Sequence, residues 1–315
     1  MPRRPNAPEA RPQPAKPGRV LVGPAGWSYP DWHGIVYPSR RPHGFHEASY
    51  LADYFDTIEI NTSFYNPLRP DHAAQWVERV SANPRFLFAA KLWQKFTHEE
   101  GATSADEAAV RTGFDVLQAA GRLGAVLLQF PFSFHSTPQN LARIGSLLGA
   151  FGTYPLVVEV RHSSWTHPDF YEFLHERGVG ICNIDQPLIG RSIKPGEQAT
   201  SRLGYVRLHG RRADTWFSDD PELPRHERYN YLYSERELEP WARRIRLLSE
   251  RTQTTFVVTN NHFEGKGVVN ALQLMHMLSG NKVKVPETLR HRYPELEPIA
   301  DAPSQEPTLF PLPPS

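Results

Sequence analysis

The sequence has 315 residues, which is enough for one large domain or two modest ones. Its 35 basic and 34 acidic residues give a formal net charge of +1, which excludes the strongly basic surface of a nucleic-acid coat protein but not a local basic cleft. The single cysteine, Cys182, excludes an internal disulfide framework and every zinc site that needs several cysteines.

Two features of the chain indicate its compartment. No apolar run is long enough to span a membrane, and the N-terminus lacks the apolar core of a signal peptide. We therefore expect a soluble, cytoplasmic protein.

Residues 1–18 are rich in Pro and Arg, and residues 284–315 are rich in Pro and Glu, so we predict extended or disordered tails there. A single domain is predicted over residues 19–283.

Between the tails, short β-type runs alternate with helical patterns. The runs cover residues 20–23, 57–61, 86–92, 125–130, 156–161, 179–185, 205–209 and 255–260. Apolar residues at helical spacing cover residues 46–55, 71–81, 105–122, 138–151, 168–177, 235–252 and 267–278. Only residues 186–202, rich in Pro and Gly, lack a helix between two strands. This order predicts an α/β fold, a (β/α)₈ TIM-type barrel whose helix between strands 6 and 7 is missing or degenerate. A doubly wound open sheet is the alternative, and it is disfavoured because no glycine-rich phosphate fingerprint follows the first strand.

The run LVVEVRH at residues 156–162 suggests where the function lies. Period-2 alternation puts Glu159 and Arg161 on one face and apolar residues on the other. Burying such charges costs several kcal/mol per ion unless they are paired or used. Three other runs end in polar residues two apart: Glu59 with Asn61, Asn183 with Asp185, and Arg207 with His209. Because barrel active sites lie at the C-terminal ends of strands, we expect these side chains to meet there. A barrel rim with purely structural ion pairs is the alternative.

Several motifs at these strand ends resemble the YecE-like family, which is known as domain of unknown function 72. They are GWSY at residues 26–29 with Asp31-Trp32, EINTSFY at 59–65, LQFP at 128–131, EVRHSSW at 159–165, RLHG at 207–210 and NNHFEG at 260–265. The resemblance covers about residues 19–280 and implies a TIM-type barrel, but it implies no settled reaction. Comparison of this fold with endonuclease-IV-like and sugar-isomerase-like barrels is analogy only. Two positions depart from the family pattern, Pro24-Ala25 before the first motif and Asn260 to Phe263 in the last.

The residue types at the strand ends indicate their chemistry. Basic donors suit an anionic group, since arginine holds phosphate or carboxylate bidentately. Carboxylates, with a histidine to assist, are candidate general acids and bases. The candidate catalytic residues are Glu59, Glu159, Asp185 and His209. The candidate substrate-binding residues are Trp27, Tyr29, Trp32, Asn61, Tyr65, Lys91, Gln129, Arg161, Arg207, Asn260 and Asn261.

Aromatic residues follow the first predicted strand. Trp27, Tyr29 and Trp32 would stack on a sugar or a base, with Tyr65 adding a hydroxyl or a further stacking face. A loop folded onto the barrel rim is the alternative for the same residues.

A metal site has a weaker basis in the sequence. Glu59, Glu159, Asp185 and His209 are the residues that would bind a divalent cation. Neighbouring lysine and arginine side chains compete for the same carboxylates, and no HExxH motif or histidine cluster occurs. No cofactor is therefore predicted, although a divalent metal stays open.

These observations lead to two hypotheses about function. The first is an enzyme that acts on a phosphorylated or otherwise anionic substrate at the barrel mouth, as a hydrolase, including a nuclease-like phosphodiesterase, or as an isomerase. The second is a barrel that binds a nucleic acid or a small anion without turnover. In both cases the partner is an anionic small molecule or a nucleic acid, and no membrane is involved.

Overall fold

A computed structural model of the protein describes residues 17–217, 220 and 223–301. Its centre is a ring of eight parallel strands in the order β1-β8-β7-β6-β5-β4-β3-β2. The strands are β1 (Arg19–Pro24), β2 (Thr57–Ile60), β3 (Leu87–Lys91), β4 (Leu123–Gln129), β5 (Leu156–Glu159), β6 (Gly180–Asp185), β7 (Leu203–Leu208) and β8 (Thr254–Thr259). The predicted TIM-type barrel is confirmed, and each predicted strand lies within two residues of the observed one.

The ring closes between β1 and β2. A single parallel bridge joins Ala25 to Glu59, where the Gly26 N–H donates to the Glu59 carbonyl at 2.8 Å. Lower down, Gly23 lies so close to β2 that a Cβ atom there would come within 1.9 Å of the Thr57 carbonyl oxygen. Only glycine permits this approach, so Gly23 allows β1 and β2, the two ends of the strand order, to lie side by side and close the ring.

Helices pack around the outside of the ring. The α-helices are α1 (Glu47–Ala52), α2 (Thr62–Tyr65), α3 (Pro70–Arg79), α4 (Gln94–Thr97), α5 (Ser104–Ala119), α6 (Pro138–Phe151), α7 (Pro168–His175), α8 (Glu235–Ser249), α9 (Lys266–Ser279) and α10 (Glu287–Arg292). All seven predicted helices are present with ends within three residues, while the one-turn helices α2 and α4 and the later α10 were not predicted. In the part of the chain that the structure describes, no helix is long and apolar enough to cross a membrane.

The segment between β6 and β7 contains no helix, as predicted. Asn183 of β6 holds this segment against the outside of the barrel. Its side-chain amide donates to the Gln198 carbonyl at 2.9 Å, and its Oδ1 accepts from the Gln198 N–H at 2.7 Å. The irregular backbone thus satisfies its buried polar groups through a side chain instead of a helical ladder.

Strand alternation divides the barrel residues into two sets. Ile58, Ile60, Val158 and Val206 belong to the large core under the helices. A second, smaller apolar cluster fills the barrel interior and includes Leu21, Ala89, Leu127, Val157, Cys182, Ile184, Tyr205, Phe256 and Val258. Tyr205 and Phe256 stack at 5.9 Å within it. The part of the interior near the N-terminal ends of the strands is therefore mainly apolar, and its charged groups lie at the C-terminal ends.

The prediction of an extended or disordered C-terminal tail is wrong for most of residues 284–301. Helix α10 and a 3₁₀ turn over Pro294–Ile299 fold back onto the barrel, and their Leu289, Tyr293 and Leu296 are buried. The prediction followed the high Pro and Glu content of the segment and overlooked its three apolar side chains, which pack against the core. Residues 1–16 and 302–315 of the predicted tails lie outside the described residues.

We expect Leu289→Ala to lower the free energy of unfolding by about 2–5 kcal/mol, because a fully buried leucine leaves a cavity when truncated. The matched control is Leu247→Ala, since Leu247 on α8 is 48% exposed and should change stability little. Urea denaturation of both variants tests whether the C-terminal segment belongs to the fold. Equal stability of the two variants would contradict its packing.

Candidate functional site

The charged centre of the barrel mouth is built around Arg207 at the end of β7. Its Nη2 donates to Glu59 Oε1 at 2.8 Å, and its Nη1 donates to Glu159 Oε2 at 2.7 Å and to Gln129 Oε1 at 2.9 Å. The three side chains Arg207, Glu59 and Glu159 are completely buried. One guanidinium thus joins carboxylates from β2 and β5 across the barrel interior.

Two further groups surround Glu159. Arg161 donates from Nε and Nη2 to Glu159 Oε1 at 2.9 and 2.8 Å. His209 Nε2 lies 3.3 Å from the same oxygen, without hydrogen-bond alignment, while its Nδ1 is 3.1 Å from the Asn260 amide. Glu159 is therefore saturated by cationic and polar neighbours. The predicted alignment of Glu159 with Arg161, and of Arg207 with His209, is confirmed.

Glu59 has a different set of neighbours. Besides Arg207, it accepts a hydrogen bond at Oε2 from the Tyr205 hydroxyl at 2.9 Å. Lys91, at the end of β3, brings its Nζ to 3.4 Å from Glu59 Oε1. Tyr205 therefore links the apolar floor of the barrel to the charged layer above it.

The network holds more positive than negative charge. Two carboxylates face three basic side chains, Lys91, Arg161 and Arg207. Burial raises the pKa of Glu159, but the charges of Arg207 and Arg161 outweigh it and hold that pKa well below the ordinary value. Burial lowers the pKa of His209 to about 3, so its imidazole is neutral at pH 7. With Lys91 protonated, the cluster of five charged groups carries a net charge of +1.

The mouth is more open on one side than on the other. Asn61, Gln129 and Arg161 are half-buried, and Arg161 and Lys91 keep 15% and 9% of their side-chain surface exposed. Trp216 covers part of the network, with its ring 5.8 Å from the Arg161 guanidinium and 5.9 Å from the His209 ring. A ligand from solvent therefore reaches Lys91 and Arg161 before the buried ions.

One aromatic residue of the first motif borders this site. Tyr29 stacks on His262 at 4.3 Å, and its hydroxyl accepts from the Asn61 amide at 3.0 Å and donates to the Ala25 carbonyl. Burial lowers the pKa of His262 to about 4. Tyr29 is thus held in place beside Asn61 at the half-open side of the mouth.

The prediction that Asn183 and Asp185 face the interior is wrong. Cys182 and Ile184 occupy the interior side of β6, so Asp185 points outward. There it accepts from Trp241 Nε1 at 2.9 Å and pairs with Arg211 at 2.8 Å. Asp185 is consequently part of the packing of α8 on the barrel and is separated from Glu59 and Glu159.

Three of the predicted substrate-binding residues lie elsewhere. Trp27 packs edge-on against Trp76 of α3, and Trp32 is buried with its Nε1 donating to the His262 carbonyl, so neither forms a stacking platform. Asn261 donates to Asn270 Oδ1 and to the Tyr231 carbonyl behind β8. Tyr65, in contrast, is within electrostatic reach of Tyr29; it is 58% exposed on α2, with its ring edge-on to Phe64. The alternative to a stacking platform, a loop folded onto the barrel rim, is therefore correct for both tryptophans.

The four residues named as metal ligands are not brought together. Asp185 lies outside the barrel, and the guanidinium of Arg207 bridges Glu59 and Glu159. Across residues 17–217, 220 and 223–301, no group of three or more His, Cys, Asp or Glu side chains is arranged to hold a metal ion. The charged side chains of the mouth that keep exposed surface, Lys91 and Arg161, are both basic.

Sequence reasoning missed two residues of the site. Tyr205 precedes Arg207 by two positions in the same predicted strand, so period-2 alternation could have identified it. Trp216 lies in the β7–α8 connection, and no local pattern indicates that it covers the mouth. Its position depends on the path of that connection.

Comparisons with known proteins agree with this architecture. Residues 21–294 match the family described as "Protein of unknown function DUF72". The chain belongs to this family. The UPF0759 protein YunF of Bacillus subtilis is 27% identical over 272 residues, which cover 82% of this chain and 94% of YunF. The UPF0759 protein YecE of Escherichia coli K12 is 25% identical over 177 residues, 53% of this chain and 59% of YecE.

Solved structures of DUF72 family proteins have the same fold. The protein from Thermotoga maritima is 32% identical with a TM-score of 0.72, and the match covers 82% of this chain and 99% of that one. The protein from Enterococcus faecalis is 24% identical with a TM-score of 0.72 over 82% of this chain and 95% of that one, a likeness in fold alone. These comparisons establish family and fold, and none of these relatives carries a name that states a reaction.

We expect Arg207→Met to lower the free energy of unfolding by about 3–5 kcal/mol, because it leaves Glu59 and Glu159 buried without their shared partner. Adding Glu59→Gln and Glu159→Gln should recover much of this loss. The matched control is Arg69→Met, which removes a solvent-exposed pair with Asp71 and should leave stability unchanged. Chemical denaturation checks all three; wild-type stability in Arg207→Met would contradict the bridging role.

The stability of the protein should fall as the pH drops below the ordinary histidine pKa of 6.5. The unfolded chain then takes up a proton at His209 that the folded state accepts only near pH 3, so protonation favours unfolding. We expect His209→Gln to flatten the decline in unfolding free energy between pH 6.5 and pH 4. The control is His291→Gln on the surface of α10. An identical slope in wild type and His209→Gln would refute the assignment.

Proposed function

We propose that this protein is an enzyme that acts on a small phosphorylated or otherwise anionic substrate at the mouth of the barrel. In this proposal Arg161 and Lys91 contact the anionic group. Arg207 lies deeper in the barrel, and its positive charge adds to the attraction. Glu59 and Glu159 hold these cations in position. Neutral His209 is the candidate for proton exchange with the substrate.

The observation that carries the proposal is the excess of positive charge in a buried place. Burying an ion costs several kcal/mol unless it is compensated, and here only two carboxylates compensate three basic groups. An anion bound beside Arg161 and Lys91 would complete the compensation. Arg161 suits this role because its planar donors match carboxylate and phosphate oxygens.

Unpartnered polar atoms support the same conclusion. Arg207 Nε and His209 Nε2 are buried in the described structure without a hydrogen-bond partner, as is Oδ1 of Asn61 at the half-open side. A buried donor without a partner costs about 1–3 kcal/mol. Groups of this kind next to charged residues at the end of a barrel are typical of a binding site whose ligand supplies the missing contacts.

A small molecule is a better partner than a nucleic acid. Phosphates of a duplex are usually contacted by exposed arginine and lysine side chains, which release counterions on binding. At this mouth Lys91 is 9% exposed and Arg161 is 15% exposed, so a rigid polymer backbone would have little access to them. The near-neutral composition gives no further attraction for a polyanion.

The state of the carboxylates bears on the type of reaction. Hydrolysis by a carboxylate base needs an oxygen that is free to take a proton from water. Glu159 is saturated by Arg161 and Arg207, and its pKa is held well below the ordinary value by these cations against the effect of burial. The geometry therefore favours isomerisation, or another conversion beside a carbonyl group, over hydrolysis.

We expect inorganic phosphate to raise the melting temperature of the wild type, because a ligand that binds only the folded state stabilises it. In Arg161→Met the affinity for phosphate, measured by calorimetric titration, should fall about 10- to 100-fold with the loss of a charge-assisted contact. Arg69→Met is the matched control and should bind as the wild type does. Unchanged affinity in Arg161→Met would refute the anion site.

Turnover separates an enzyme from a barrel that only binds. Wild type is assayed against phosphorylated sugars, 2-oxo acids and phosphate esters, and the converted compound is then tested with His209→Gln. That variant should lose turnover but retain phosphate binding, because it removes the group proposed for proton exchange and leaves Arg161 and Lys91 in place. Tight binding by wild type with no conversion of any compound would favour the binding protein.

A further inference from the structure

We propose that Lys91 reacts through its side-chain amine, forming an imine with the carbonyl group of an aldehyde or ketone that also carries a carboxylate or phosphate. The inference deepens the proposed function and rests on it for the anionic part of the substrate. Arg161 would hold that anionic group, and Lys91 would take the carbonyl carbon.

The composition of the charged network selects Lys91 among the three basic groups. Two carboxylates face three basic groups, so loss of one proton from a basic group would make the network neutral when no anion is bound. Arg161 and Arg207 cannot do so, because a guanidinium stays protonated in proteins. Lys91 is therefore the basic group of this network that can lose its proton, which leaves an amine with a free lone pair.

The hydrogen bonds of the network lead to the same residue. Oxygen atoms of Glu59 accept from Arg207 at 2.8 Å and from Tyr205 at 2.9 Å, and those of Glu159 accept from Arg161 and Arg207. Lys91 Nζ has only a longer contact, 3.4 Å from Glu59 Oε1. Its amino group is thus held loosely by the carboxylates and can leave them for a substrate.

The backbone of Lys91 is fixed in place. Lys91 is the last residue of β3, and its N–H donates to Ser63 Oγ at 3.0 Å. The Ser63 hydroxyl in turn donates to the Ile60 carbonyl at the end of β2. The ring of Phe64 lies 5.5 Å from Nζ and forms one wall beside it. A nucleophile on a strand end anchored to its neighbour is more precisely placed than one on a loop.

The electrostatic surroundings favour the amine form. Burial, and then the charge of Arg207, lower the pKa of Lys91 to about 8 against the opposing effect of Glu59. The nearby His98 and His262 are neutral at pH 7 and add no charge of either sign, because burial lowers the pKa of each to about 4. Desolvation beside another cation is a known way of activating a lysine for imine formation.

The proposed step is balanced within the two reactants. The lone pair of Nζ attacks the carbonyl carbon, a C–N bond forms, and the carbonyl π electrons move to oxygen, which takes a proton from nitrogen. The resulting hydroxyl then leaves with the second N–H proton as water. The product is a C=N imine, which a reducing agent converts to a stable secondary amine.

The test is reductive trapping of the full-length wild type. The protein is incubated with glyoxylate, an anionic aldehyde, or with formaldehyde, a neutral one, together with cyanoborohydride at pH 8. Peptide mass spectrometry then ranks the modified lysines. The chain has seven: Lys16, Lys91, Lys95, Lys194, Lys266, Lys282 and Lys284.

We expect Lys91 to be modified first. At pH 8 its amine fraction should exceed that of an ordinary lysine by about 100-fold, so modification on the order of tenfold faster than at the exposed Lys282 is expected. In Lys91→Arg the preferred adduct should disappear, because a guanidinium forms no imine, and a cooperative thermal transition shows that the variant still folds. A fast adduct that persists in Lys91→Arg would refute the assignment.

The two aldehydes separate this inference from the proposed function. Faster modification of Lys91 by both reagents, with an added preference for glyoxylate that Arg161→Met removes, supports both proposals. Preferential modification by formaldehyde without any preference for glyoxylate supports the amine but refutes the anion site. If Lys91 reacts no faster than Lys282 with either reagent, the amine is refuted, whatever phosphate binding shows.

Discussion

The buried guanidinium of Arg207 is the interaction on which the barrel mouth depends. It joins Glu59 and Glu159, which come from strands on different sides of the ring, and none of the three side chains is accessible to water. Without the guanidinium the two buried carboxylates would repel each other, and Glu59 would keep only the Tyr205 hydroxyl and the longer contact to Lys91. The remaining polar groups of the mouth are arranged around this bridge, including Gln129, Tyr205 and Arg161.

The same bridge explains why the three basic residues of the mouth differ in role, with Arg207 serving the fold and Arg161 and Lys91 serving the proposed function. Arg207 is fully enclosed and shared by two carboxylates, so its main effect is on the fold. Arg161 and Lys91 lie at the half-open side, where a ligand can meet them. Because Arg207 already binds both glutamates, Lys91 has only a long contact, 3.4 Å, to Glu59. Burial, and then the charge of Arg207, lower the pKa of Lys91 to about 8. The chemical properties proposed for Lys91 are thus a consequence of the structural role of Arg207.

Membership of the DUF72 family accounts for the architecture and leaves the reaction to be inferred from side chains. The barrel places an apolar floor with Tyr205 and Phe256 beneath a layer of ions, and Trp216 covers part of that layer. This arrangement is expensive to maintain for stability alone, since apolar residues of similar volume would pack without desolvating any charge. Binding of an anionic ligand, as proposed, would offset the cost of burying these charges.

Local patterns in the sequence determined the order of elements and the inward face of most strands. In β2, β5 and β7 one face is purely apolar and packs under helices, so Glu59, Glu159 and Arg207 had to point inward. Strand β6 was ambiguous, because both of its faces carry residues that can be buried. Only the tertiary structure supplied Trp241 and Arg211 as outer partners, which satisfy Asp185 and turn it away from the site. Pairing over such sequence distances depends on how the ring closes, and local periodicity contains no information about that.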